Sequence, residues 1–336
     1  MVTATLLLTV GCLAPQPGRA SHRGGGSSRG SSFCALEWQD TCVKTAGRDD
    51  KSICDTWTEN YPATATDFSN PTGETCSVGT TDSTAVDDML RRTNLYRWLA
   101  GVADVTFDDD LNAAATACAV IQAHSGGNIT HYPSTTAACY SEEGANAAAK
   151  SNIYYRYGPG GAPTDCVSSF IEDFGANNLG ALGHRMWMLY PTQQTLGFGF
   201  SEVGALSACC IYVNGPQFSH QTAGGPSSWV IYPPPGVVPY QVVADAMARG
   251  EMRLRWTFTA PDASFLETQV TMTESQESGD EVFPVDDGVL DQVLDPGIWI
   301  EPQRDVKPDT LYTVSLEVPS LGQITYRVYF SSCGDP

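Results

Sequence analysis

Two histidines set among acids carry the chemistry this chain could do. His184, in Gly183-His184-Arg185-Met186-Trp187-Met188-Leu189-Tyr190-Pro191, follows the acidic pair Glu172-Asp173 by about a dozen residues. That spacing builds either a metal site or a histidine braced by a carboxylate. His131 lies upstream in Thr130-His131-Tyr132-Pro133, and the run Glu142-Glu143-Gly144-Ala145-Asn146 adds carboxylates after it. Neutral imidazoles and carboxylates suit zinc and related divalent ions. His131, Asp173 and His184 are therefore the candidate metal ligands, with Glu142, Glu143, Asn146 and Glu172 as candidates for the same cleft. Against this stands the plainer expectation that each histidine braces the fold through hydrogen bonds, as most buried polar groups do.

Nucleophilic catalysis finds little support, because no Gly-x-Ser-x-Gly elbow occurs and the cysteines look paired rather than reactive. Charge narrows the partners further. The 336 residues carry 18 Lys and Arg against 38 Asp and Glu, a net charge of -20. Nucleic-acid binding needs clustered cations to displace counterions, so a nucleic-acid partner is excluded and divalent ions or cationic partners suit better.

The elements that must position these residues follow an export-type leader. Thr3 to Ala14 is apolar yet too short to span a bilayer. Residues 1–20 thus read as an export signal, although Met1 to Ala4 carry no Lys or Arg, as they would if the true start lay upstream. Thr9-Val10-Gly11-Cys12 resembles a lipoprotein box that would make Cys12 a lipidated residue and the chain's membrane anchor, and cleavage near Ala20 is the alternative. A Gly- and Ser-rich linker fills 21–33, and a cysteine-containing extension 34–82 carries Cys34, Cys42, Cys54 and Cys76. Eleven cysteines in all imply disulfides and an oxidising, extracellular or envelope location, with connectivity not readable from spacing.

Helical spacing predicts a helix over about Val86 to Leu99, capped by Ser83 or Thr84 and stopped by Gly101. A second runs over about Leu111 to Ala123, with His124 at its end, and a third starts at Pro163-Thr164 and ends near Asp173. An acid at a helix C-terminus sits badly with the dipole, which hints at use for Asp173. Leu196 to Phe200 and Cys209 to Val213 read as strands, and Trp187, Leu189 and Phe198 as core, while Arg185 is expected to pair with an acid. Past a Pro-rich linker at 216–240, centred on Tyr232-Pro233-Pro234-Pro235-Gly236, residues alternate apolar and polar. Trp256 and Phe258, then Tyr312, Val314, Leu316 and Val318, then Ile324, Tyr326, Val328 and Phe330 predict a small antiparallel β-sandwich over 241–336. The expected class is α+β.

Leu95-Tyr96-Arg97, Ala100-Gly101-Val102, the His131 motif, Gly144-x-Asn146 and Gly183-His184-Arg185 with Trp187 recur in this order in the CAP superfamily. That superfamily includes cysteine-rich secretory proteins, venom antigen 5 and plant pathogenesis-related proteins. The resemblance covers roughly residues 85 to 203, inside an expected domain at 83–215, and is strongest to the bacterial branch, in which Gly-His-Arg-x-Trp-x-Leu-x-Pro replaces Gly-His-Tyr. It implies a three-layer α-β-α sandwich and a central cleft holding two His and two Glu. His131 and His184 match those histidines, and Asp173, three residues after Phe170, takes the second acid's place. Ala145 stands where the first Glu belongs, unless Glu142 or Glu143 reaches in. The resemblance also implies a Cys118–Cys139 disulfide, and ligands such as lipids, other small apolar molecules or extracellular proteins.

Three functions remain in order of weight. The first is an exported binding protein holding a divalent ion or small apolar ligand, the second a metal-assisted extracellular hydrolase, the third a structural or adhesive surface protein.

Overall fold

Aspartates set the starts of the helices. In the computed structural model, which describes residues 49–62, 76–79, 81–158, 163–174, 178–220, 229–248, 253–291 and 294–333, α1 (Asp50–Asn60) begins where the Asp49 side chain accepts from Ser52 N. Asp82 caps α2 (Ser83–Ala100) in the same way, one residue before the Ser83 or Thr84 expected, and Gly101 ends it at φ 76°. Asp108 caps α3 (Asp109–Ala123). A carboxylate there satisfies orphan N–H groups and complements the positive helix end.

A four-stranded sheet of order β1-β3-β4-β2 holds the site, with β1 at Thr106–Phe107, β2 at Ser151–Tyr157, β3 at Thr195–Val203 and β4 at Leu206–Tyr212. Helix α3 lies across β3 and β4. It comes so close that a Cβ on Gly199 would sit 2.1 Å from the Ala115 backbone, so β3 needs glycine there. The short helix α4 (Glu142–Ala148) docks on α3 through Gly144, whose missing Cβ would meet Ala117 O at 2.6 Å. Helices α5 (Asp165–Glu172) and α6 (Gly183–Met188) pack on each other before β3 begins.

Two further sheets follow, of order β10-β11-β7-β5 and β6-β13-β12-β8-β9. The first takes β5 (Val230–Tyr232), β7 (Trp256–Thr259), β10 (Val285–Val289) and β11 (Gly297–Pro302). The second takes β6 (Gly236–Pro239), β8 (Gln269–Glu274), β9 (Glu281–Phe283), β12 (Thr310–Val318) and β13 (Gly322–Ser331). The alternating apolar residues meet between them, with Trp256 5.7 Å from Phe330 and 6.5 Å from Tyr312, ring centre to ring centre. The Tyr232 to Gly236 stretch, expected as a linker, is instead built in: β5 and β6 are edge strands of the two sheets, and the prolines carry the chain from one to the other. Proline is tolerated at such edges because it lacks only an N–H that a central strand would need.

One buried cluster runs through both halves, from Trp57 and Tyr96 through Phe170 and Phe198 to Tyr232, Trp256 and Phe330. Trp57 Nε1 donates to Gln241 Oε1 (2.8 Å), fastening the N-terminal helix to the helix at Gln241–Ala248, and Tyr190 Oη donates to Asp295 Oδ1 (3.2 Å), fastening the segment after α6 to the bend before β11. Two sequence-predicted domains therefore share a core. The content is mixed α and β, as expected.

The disulfides correct one expectation. Cys118 pairs with Cys210, not Cys139, and Cys139 pairs with Cys76, while Cys54 pairs with Cys333. Cys118 is fully buried on the face of α3 turned to β4, whereas Cys139 lies in a partly exposed loop. Cys166 and Cys209 are buried thiols. The leader, its linker, Cys12, Cys34 and Cys42 fall outside the described residues. Among the described residues no helix is long and apolar enough to cross a membrane, and the disulfides fit an extracellular protein.

Candidate functional site

His131 sits in the loop between α3 and α4, which has little regular structure of its own. Its position comes from Gln122, fully buried on α3, whose amide donates to Thr130 O and accepts from Thr130 N, both at 2.9 Å. The Cys76–Cys139 disulfide anchors the far end of the loop. His131 Nδ1 then lies 2.9 Å from Ala148 O, the last carbonyl of α4, which has no partner inside the helix. A carbonyl only accepts, so Nδ1 carries the proton and the neutral ring keeps its lone pair on Nε2.

His184 is held from the opposite side. Asp173 caps α5 in the left-handed conformation (φ 56°), which a short polar side chain tolerates. Its carboxylate accepts from His184 Nδ1 at 2.7 Å and from Arg185 N at 3.2 Å. Asp173 is 1% exposed, so these two donors are its compensation for burial. His184 Nδ1 is thereby the protonated nitrogen, and Nε2 again keeps the lone pair. The Phe170 ring stacks at a tilt 5.1 Å away, and Asn152 Nδ2 donates to His184 O at 3.0 Å.

Arg185 locks this corner to the C-terminal half. Fully buried, it donates to Ile171 O (2.5 Å), Glu172 O (3.1 Å) and Arg255 O (2.5 Å) rather than to a carboxylate, as the sequence had suggested. Burial pulls its guanidinium below the usual range, and the nearby Asp173 charge acts against that pull.

The two imidazoles share a cavity of about 280 Å³. Lys150, Ser151, Asn152, Asn178 and Asn214 supply its other polar lining, and Tyr132, Trp187, Ala149, Ala181 and Val213 its apolar wall. Trp187, expected in the core, is half-buried and forms this wall with Phe218 behind it, ring centres 4.9 Å apart. Sequence reasoning missed Lys150, Asn152 and Asn178. Ser151, Asn152 and Ile153 are all buried at the start of β2, so strand alternation gave no signal for Asn152.

The remaining candidates take other places. Glu142, Glu143 and Asn146 are exposed on α4 and do not line the cavity, because the first turn of α4 points its acids at solvent, where they suit the helix dipole. Glu172 is buried and does not line the cavity, and its charge acts on Tyr96, Tyr232 and Arg185. His124 caps α3, its Nδ1 2.8 Å from Val120 O, and His220 stacks near Phe218 and Tyr190.

His131 and His184 are the cavity residues that could hold a divalent ion, each through Nε2. Asp173 does not fit as a third ligand, since both its oxygens are engaged with protein donors. It serves instead as the carboxylate that orients a histidine, an arrangement common behind metal-binding imidazoles. Among the described residues, Cys76, His124 and Cys139 are the trio of donor atoms within 4.8 Å of one another, and the disulfide leaves them no thiolate. An ion bound by the two imidazoles would supply Lewis acidity to an oxygen in the cavity.

No curated protein matches the chain. Residues 90–213, from within α2 to just past β4 and including both imidazoles, match the family model described as CAP, the cysteine-rich secretory protein family.

Proposed function

We propose that this chain is an exported CAP-domain binding protein of the bacterial branch, which takes its ligand in the His131/His184 cavity and does not turn it over. In this reading the α helices and the first sheet form a three-layer α-β-α sandwich, and the two later sheets form a β-sandwich appended to it. The observation that carries the proposal is the pair of imidazoles brought from distant segments to one cavity, each with Nδ1 tied to the protein and Nε2 left as a lone pair. Of the ligand classes expected from the sequence, a divalent ion is the one this pair supports best. The apolar leader and the three disulfides support export, with Cys12 as the lipid-anchor candidate.

Metal-assisted hydrolysis is the second reading, favoured by the Asp173–His184 pair, which has the form of a general base and its orienter. Binding is preferred because Ser151, the serine among the described residues of the cavity lining, donates to Ala147 O rather than to an imidazole, and Ala145 stands where an acid was expected. The test is calorimetric titration of zinc into the metal-stripped mature protein beside a His131→Ala/His184→Ala variant, with both folds checked by circular dichroism. Saturable binding lost in a folded variant supports the proposal. Binding that survives in the variant, or none in either protein, refutes it.

A further inference from the structure

Counting which hydrogen-bonding arms of the cavity are already engaged gives a ligand class. His131 and His184 both turn Nδ1–H toward the protein. Ser151 Oγ donates to Ala147 O at 2.8 Å, Asn152 Nδ2 to His184 O at 3.0 Å, and Asn178 Nδ2 to Phe174 O at 3.2 Å. Each of these five residues lines the cavity, and each directs a donor at the protein. What they keep for a ligand is two imidazole acceptors at Nε2, the Ser151 hydroxyl oxygen, and on each amide an oxygen and a second N–H, a set that suits groups able both to donate and to accept.

Among the described residues no Asp or Glu lines the cavity, although acids outnumber bases 38 to 18 in the chain. Lys150, a fixed positive charge, stands in its wall. An organic ligand is therefore held, when no ion occupies the pair, through its own O–H or N–H donors. A fatty acyl chain or an acceptor-only anion would close the cavity over unpaired acceptors, which costs free energy at each one. A ring of hydroxyls meets them all, since each hydroxyl donates and can also accept from Lys150 or Asn214.

The apolar side of the cavity fits the same ligand. Tyr132 lines the cavity yet is 82% exposed, an aromatic ring left in solvent at the mouth, and Trp187 offers a second, half-buried ring. Flat aromatic faces match the C–H faces of a sugar ring, whose edges remain free to hydrogen-bond. From this geometry we infer that the cavity binds a neutral polyhydroxylated ligand, a pyranose unit, with its hydroxyls on the imidazole and amide acceptors and one face against Tyr132. The inference rests on the reading of this cavity as the ligand site.

The test uses the metal-stripped mature protein with ¹⁵N-labelled histidine. The probes are methyl α-glucopyranoside, methyl α-mannopyranoside, methyl β-galactopyranoside and N-acetylglucosamine, with decanoate and inorganic phosphate as acceptor-only controls. At least one pyranoside shifts the Nε2 resonances of both His131 and His184 and leaves His124 and His220 unmoved. Tyr132→Ala, at a site too exposed to endanger the fold, weakens that response about tenfold. No response to any pyranoside, or a stronger response to decanoate or phosphate, overturns the inference. Zinc binding that persists while the sugars fail leaves the cavity reading standing, so the two failures are distinguishable.

Discussion

Removing the Asp173 carboxylate tests how the site is held. Its oxygens accept one hydrogen bond from an imidazole at 2.7 Å and one from a backbone N–H at 3.2 Å, in a place with 1% exposure. In Asp173→Ala both donors lose their partner, at about 1–3 kcal/mol each. Alanine must also adopt φ 56°, which adds roughly 1 kcal/mol. The sum is a destabilisation of about 3–7 kcal/mol, a large share of the stability of an ordinary domain. Asp173→Asn keeps the left-handed preference and one acceptor, but turns an NH2 group toward the second donor, so it costs about 2 kcal/mol. Urea unfolding followed by tryptophan fluorescence measures both, read as a shift in midpoint at constant slope. In the folded Asn variant zinc affinity falls about 10- to 100-fold, the usual effect of removing a carboxylate behind a metal-binding histidine. An Ala variant within about 0.5 kcal/mol of wild type, or an Asn variant as damaged as Ala, would refute this account of Asp173.

Other expectations concern the frame around the site. Gly199→Ala drives a Cβ to 2.1 Å from the α3 backbone and costs about 3 kcal/mol or prevents folding, whereas Gly204→Ala, with open space but φ 61°, costs about 1 kcal/mol; equal thermal midpoints for the two would contradict the close packing. Replacing Cys54 and Cys333 together by serine frees a link across 279 residues and lowers stability by about 4 kcal/mol, and an unchanged urea midpoint would show that α1 holds its place without the bond. Burial raises the phenols of Tyr96, Tyr232 and Tyr326, and pushes Tyr312 up to about 12. The unfolded chain releases these protons near pH 10 while the fold retains them, so their stabilisation is complete below about pH 10 and is lost as pH rises above it. Tyrosinate absorbance from these residues should appear together with loss of circular dichroism, and its gradual growth in a folded protein near that pH would contradict their burial.

Much of this was legible in residues whose local signal and tertiary role agree. The apolar spacing of Val86 to Leu99 and the Gly101 stop gave α2, and the alternation at Tyr312 to Val318 and Ile324 to Phe330 gave β12 and β13. His131, His184 and Asp173 were found from type and order, and the carboxylate brace was one of two chemistries their spacing allowed. What sequence could not separate was ligand from brace, because that turns on which oxygen meets which nitrogen. Cysteine pairing failed for the same reason: Cys118 and Cys139 are close in the chain, but α3 aims Cys118 at β4. The prolines at 233–235 look like a linker until the sheets on either side are known, since a crossing between two edges and a free linker use the same residues. Trp187 packs against the core as expected, and its second role in the cavity wall was not legible because a large apolar residue reads as core whether it faces other side chains or a cavity.

The most direct test of the central claim is ¹⁵N spectroscopy of the histidine rings with and without zinc. The account predicts that His131 and His184 are both protonated on Nδ1 and bare on Nε2, and that zinc moves the Nε2 resonances of these two alone among the described histidines. A ring protonated on Nε2, or zinc acting on only one of the pair, would contradict it.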